Sequence, residues 1–329
     1  MYMRQDKGME ISDGAARFAG GAEERLRPQK SRLKRREHWT ALAFISVKYV
    51  GLIVFTLLPV VVALLYSFTD YSSMDTMDSF FVQIDDLWVG FANYGNLFTN
   101  MVYNEAFLNA IVNNLIFLIS VPLGILLGLI IAYILSREKK IVGSRVIRLL
   151  IYVPVVSSAV ATGIIWRYIF DNEMGIVNQI FGTVIQWMTD PFWLKVAVIV
   201  KSVWGAIGGT MILCLAGLTN ISRDYYEAAE LDGAGELSKF FRISLPLVSP
   251  TLFYLLCTGF IGNLQSYVDA QVFAEGNPGA QTIVYFIWNY GINSGLYGVA
   301  SAASFLLAIG IMLFTMLQFR ISDKWVYSE

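Results

Sequence analysis

Six runs of apolar residues, each long enough to cross a lipid bilayer, dominate this chain. A helix needs roughly 20 apolar residues to span the hydrocarbon core. Inside hydrocarbon a backbone must satisfy its own polar groups, so only helices and closed barrels can span it. The runs lack the period-two alternation of a barrel strand. The chain is therefore predicted to be an all-α polytopic membrane protein. Its six transmembrane helices are expected over Ala43–Phe68, Phe107–Leu135, Leu149–Phe170, Phe192–Leu218, Leu247–Val268 and Val299–Phe319. The first run shows no cleavage-site pattern, so it reads as a retained anchor and not as a signal peptide. Composition agrees: 56% of residues are hydrophobic and 15% charged, against roughly 45–50% and 25% in a soluble domain.

Charge sets the orientation. Basic residues from Arg4 to Arg36 crowd the segment before the first span, and Arg137, Lys139, Lys140, Arg145 and Arg148 follow the second. Arg223, Lys239 and Arg242 lie between the fourth and fifth spans, and Arg320 and Lys324 in the tail. The other three loops contain no Lys or Arg and carry acids such as Asp70, Asp75, Asp78, Asp85, Asp86, Asp171, Glu173 and Asp190. The positive-inside rule then places both termini in the cytoplasm. The expected organisation is a basic tail over 1–42, a membrane domain over 43–319 and a short tail over 320–329. The basic tail reads as a topology determinant, not as a nucleic-acid or lipid-binding arm.

Several chemistries are excluded. Cys214 and Cys257 each fall inside an apolar run, without metal or redox spacing. His38 is the only histidine, which argues against a metal site or a Ser-His-Asp triad. No phosphate-binding Gly-x-x-x-x-Gly-Lys-Ser/Thr loop is present. The chain is not expected to be an enzyme or to hold a cofactor of its own.

The loop over 219–246 carries the most information. Asp224–Leu231 is helix-compatible, with acids in its first turn where the helix dipole favours them. Gly233 and Gly235 interrupt it, supplying a turn and a surface that another backbone can approach. A second short helix is expected over Glu236–Ser244, with Pro246 at the mouth of the fifth span. Such a helix, fixed to two spans, is a lever that a gripping protein can tilt.

Glu227-Ala228-Ala229, then Gly233, then Ile243-Ser244-Leu245-Pro246 resembles the EAA signature of permease subunits of bacterial ATP-binding-cassette importers. The resemblance implies the type I importer permease fold. It also implies coupling to a cytoplasmic ATPase through Glu227, Ala228, Ala229, Asp232, Gly233, Ala234, Gly235, Ile243, Leu245 and Pro246. Phe68-Thr69-Asp70-Tyr71, Gly90-Phe91-Ala92-Asn93-Tyr94, Trp166-x-x-Ile169-Phe170, Gly175-Ile176-Val177-Asn178 and Gly298-Val299-Ala300-Ser301-Ala302 are similar to the carbohydrate branch. Within it the chain looks more like the larger maltose-importer permease than that protein's partner, without its two extra spans and external domain. The partners implied are a second, similar permease, two ATPase subunits holding ATP and Mg, and an extracytoplasmic solute-binding protein. The implied place is the bacterial cytoplasmic membrane.

A sugar path needs polar groups inside the bundle, where they are otherwise costly. Gly259, Asn263, Ser266 and Ala270 recur at helical spacing, which predicts one small, polar face on the fifth span. Helix–helix packing accounts for the same face equally well. The resemblance implies that Asn263 contacts sugar. Gly259, Gly262, Ser266, Ser202 and Gly209 stand at matching positions where the family often has larger or more polar groups. Lys201, deep in the fourth span, either faces the path and favours an acidic sugar such as a uronate, or is paired or snorkels. Trp88, Trp187, Trp193 and Trp288 either stack on sugar rings or anchor the interface. Gly124-x-x-x-Gly128 reads as a close packing face. The competing functions are a gradient-driven secondary transporter and a non-transporting scaffold.

Overall fold

A computed structural model describes residues 40–72, 87–137 and 144–327. The basic residues Arg4 to Arg36, His38, the acids from Asp75 to Asp86, and Lys139 and Lys140 lie outside them. Helices make up the described chain; two isolated bridges, Thr69 with Trp88 and Ser72 with Leu296, are its only extended pairings. Two compact units divide between Ala63 and Leu64. Helix α1 covers Thr40–Ser67.

The remaining helices are α2 (Ala92–Thr99), α3 (Asn104–Arg137), α4 (Ser144–Val156), α5 (Ala159–Ile169), α6 (Ile176–Phe181), α7 (Pro191–Thr219), α8 (Arg223–Leu231), α9 (Glu236–Leu264), α10 (Ile283–Trp288) and α11 (Tyr297–Ser322). Five of them, α1, α3, α7, α9 and α11, are long and apolar enough to cross a membrane. The third predicted span is not one straight helix. It consists of α4 and α5, bent by 102° at a short break. Pro154 removes a backbone donor within α4, and Ser158 is extended and caps α5 afresh, accepting from Ala161 N.

Two glycines bring a pair of spanning helices together. A Cβ on Gly128 would lie 2.7 Å from Thr210 Cβ, and one on Gly124 2.9 Å from Ala206 Cβ. Hence α3 lies directly on α7, as the Gly-x-x-x-Gly spacing predicts. Around that contact Ile125, Leu129, Met211, Cys214, Val248 and Leu252 form a buried cluster.

Motifs far apart in sequence meet at the Thr69 end. Asn93 donates to the carbonyls of Ser67 and Thr69 at 3.1 and 2.7 Å. Gly298 packs against the Thr69 carbonyl, where any side chain would collide. Asn178 is a second staple. Its amide donates to the carbonyls of Asn172 and Ile185, and its oxygen accepts from Trp187 Nε1 at 2.9 Å. Trp187 is accordingly buried against Phe170 and Trp193 and is not available to stack on sugar.

Candidate functional site

The 219–246 loop forms an elbow. Ser222 caps α8, its hydroxyl accepting from Asp224 N. The helix ends in a hydrogen-bonded turn: Gly233 N reaches the Glu230 carbonyl at 3.0 Å and Ala234 N the Ala229 carbonyl at 2.8 Å. That pair of bonds is the Schellman ending, which needs a left-handed residue. Gly233 supplies it at φ +79°. Gly235 has φ −71° and caps the next helix.

The expected second loop helix is not separate. Glu236 begins α9, which continues through a π-helical turn at Phe240–Ser244 into the membrane segment. Pro246 therefore sits inside a continuous helix, not at its mouth. The π turn accommodates it: the wider Leu245 N to Phe240 O bond falls just before the missing donor.

The tip of the elbow is open. Glu227, Ala228, Asp232, Gly233 and Gly235 are exposed, with Ala229 and Ala234 half-buried. Leu231 is 90% exposed and Leu237 76%. The base is fixed. The hydroxyls of Tyr226 and Ser244 lie 2.8 Å apart, both buried. Ile243 and Leu245 are half-buried on either side of Ser244.

Four charges brace this base. Arg137, at the end of α3, lies 3.2 Å from Glu230 and 3.3 Å from Glu236. Lys239 closes the square at 2.8 and 2.5 Å from the same carboxylates. The hydrogen bond from Lys239 holds the Glu230 carboxyl below its usual range, with Arg137 adding to the effect. Beside the brace lies a cleft of about 860 Å³ between α3, α7 and α8. The sequence alone pairs none of these four residues with another. Their signal was weak: opposite charges at the ends of two helices that only the fold brings together.

The interior differs from the predicted stripe. Helix α9 stops at Leu264, so Ser266 and Ala270 do not share a face with Gly259 and Asn263. Side chains take over the freed carbonyls, which lets the helix end inside the bundle: Asn114 donates to Leu264 O at 3.2 Å and Thr282 to Ser266 O at 2.6 Å. Asn263 donates to Ser120 Oγ at 3.1 Å, while its buried oxygen has no protein partner. A Cβ on Gly259 would lie 2.7 Å from Val121, whereas Gly262 has open space beside it. On α7, Gly208 packs against α4, and Gly209 barely touches it. Ser202 is half-buried. Lys201 is buried and paired with Asp269, an acid one residue beyond the predicted end of the fifth span.

Comparison with known proteins decides the family. Residues 124–326 match the binding-protein-dependent transport system inner membrane component. The chain belongs to that family. It is 31% identical to YesP of Bacillus subtilis, named as an ABC transporter permease, over 92% of this chain and 96% of that one. It is 30% identical to the lactose transport permease LacF of Rhizobium radiobacter, over 88% and 96%. The fold matches a solved bacterial importer of the acidic polysaccharide alginate, with TM-score 0.73 and 20% identity over 88% and 96% of the two chains.

As a carbohydrate importer permease, the chain is a multi-pass, non-enzymatic subunit of the cytoplasmic membrane. Membership sets aside the secondary-transporter and scaffold readings. Binding-protein-dependent transport also requires partner subunits.

Proposed function

We propose that this permease pairs with a second, similar subunit and is driven by two cytoplasmic ATPases that grip the α8 elbow. The observation that carries this reading is an exposed tip on a fixed base. Glu227, Ala228, Ala229, Asp232, Gly233, Ala234 and Gly235 form the tip that a partner would clasp. Ile243, Leu245 and Pro246 lie within α9, which runs from the tip into the membrane segment, so tilting the tip would tilt a membrane helix. ATP and Mg would bind on the partners and none on this chain. Both termini and the elbow would face the cytoplasm. A solute-binding protein would deliver sugar to the opposite side, and the bundle would alternate between two openings.

The cargo is a sugar or oligosaccharide. LacF is named for lactose and MdxF of Bacillus subtilis, 26% identical, for maltodextrin. Asn263, Gly262, Gly259, Ser202, Gly209 and Ser266 are proposed to line or shape its path. The partnerless oxygen of Asn263 is the chemical feature that supports sugar contact, because a hydroxyl would satisfy it. Within this reading Lys201 admits an acidic sugar, provided its carboxylate exchanges with Asp269. Unchanged uptake of every acidic sugar by Lys201→Met would remove that idea.

The test of the whole reading is purification by a tag on this chain. The expected complex contains one other permease and two ATPase copies and hydrolyses ATP, while the isolated chain does not. A catalytically active isolated chain, or a homo-oligomer without an ATPase, overturns it.

A further inference from the structure

Helix α8 has nine residues, too few to hold itself rigid. It hangs between two non-helical links, at Asn220–Ser222 and Asp232–Gly235. A helix mounted this way would rock when pushed and absorb the stroke. The link to α9 turns at a glycine with positive φ. Something else must stiffen the elbow if it transmits motion.

We infer that Arg137 is a positioning residue that makes the elbow a rigid lever by clamping it to α3; this rests on the coupling reading above. Arg137 ends α3, which is not joined to the loop in sequence. Its guanidinium reaches Glu230 on α8 and Glu236 in the first turn of α9. It also lies 4.4 Å over the ring of Tyr226. One planar group thus touches both arms of the elbow and its buried pivot. Tyr133, one turn earlier on α3, donates to Glu236 at 3.1 Å. Lys239 is almost fully buried and joins the two carboxylates from the other side.

The brace matters for geometry more than for stability. Both carboxylates are more than half exposed, and such pairs contribute little to folding. The Arg fork does fix direction, which a lysine cannot. Because α3 lies on α7 without side chains between them at Gly124 and Gly128, a push on α8 passes into that packed pair. Without Arg137 the push ends at the two links, and ATP is hydrolysed while the membrane helices stay put.

The experiment uses the complex purified by a tag on this chain. A bimane label on Tyr254→Cys, an exposed position of α9, reports helix movement on addition of ATP and vanadate. The native Cys214 and Cys257 are buried and are replaced by serine if they react. Wild type is expected to show a spectral shift. Arg137→Ala is expected to keep its ATPase subunits and its hydrolysis but to lose shift amplitude by roughly two- to tenfold, as mutations along a coupling path do. Arg137→Lys is expected to recover part of the shift. Arg137→Gln reads the same quantity should Arg137→Ala not assemble. A full shift in Arg137→Ala, or in Arg137→Gln, overturns the inference and leaves the coupling reading standing. No shift in wild type overturns the coupling reading itself.

Discussion

Lys201 on α7 and Asp269, at the start of the π-helical segment Asp269–Phe273, form an ion pair inside the bundle, 68 residues apart in sequence. Burying two charges costs several kcal/mol per ion, and their attraction offsets this only while both are present. Lys201→Met or Asp269→Asn alone leaves one charge uncompensated. Each is expected to lower stability by about 3–5 kcal/mol. The double variant Lys201→Met with Asp269→Leu should recover most of the loss. Thermal unfolding of the purified complex checks this; equal losses in single and double variants would contradict it.

Gly233 and Gly235 separate two reasons for glycine in the elbow. Gly233→Ala forces a side chain into left-handed backbone, at about 1–2 kcal/mol. Gly235→Ala meets neither strain nor a neighbour within the chain. If only the turn matters, co-purified ATPase falls for Gly233→Ala and not for Gly235→Ala. If a partner backbone approaches the tip, both variants lose it. Retention of the ATPase by Gly233→Val would contradict the grip altogether.

Gly128→Leu must displace Thr210, since even a Cβ lies 2.7 Å from it. Overpacking of this kind costs about 1–3 kcal/mol, and here two helices must separate. Expression of folded protein should drop sharply. Gly262→Ala, with open space beside it, should fold normally. Size-exclusion profiles in detergent distinguish the two.

The brace has a definite pH dependence. The Glu230 carboxyl is held below its ordinary value of 4.5 by Lys239. A depressed carboxyl contributes fully above the unfolded value and is lost as pH falls through the folded one. Glu230→Gln should therefore weaken the elbow, read as faster protease cleavage of the loop, at about pH 6 to 8 by a constant factor. A difference that grew between those pH values would mean another group titrates there.

The sequence made the long elements legible because hydrocarbon leaves few alternatives. Apolar runs located α3, α7, α9 and α11 to within a few residues at most ends. The start of α9 was misjudged because Pro246 normally marks a helix mouth, and a π turn inside a helix leaves no apolar signal. The bend between α4 and α5 was missed for a related reason: hydropathy stays high through Val156–Val160, although Pro154 and the Ser157-Ser158 pair offered a hint. In the site, the Gly233 turn was local and readable. Asp269 was not read as Lys201's partner, nor Arg137 as Glu230's, because pairing across long separations depends on packing.

The corner between α4 and α5 has a consequence for how the protein can exist. Arms of 13 and 11 residues measure roughly 20 and 16 Å, each short of the roughly 30 Å hydrocarbon thickness. Non-helical backbone at membrane depth is tolerated only against protein or water. Yet Val156, Ser158 and Ala159 are exposed on this chain. A corner of this kind needs another polypeptide or an aqueous channel beside it, so the natural surroundings of this copy are not lipid on every side.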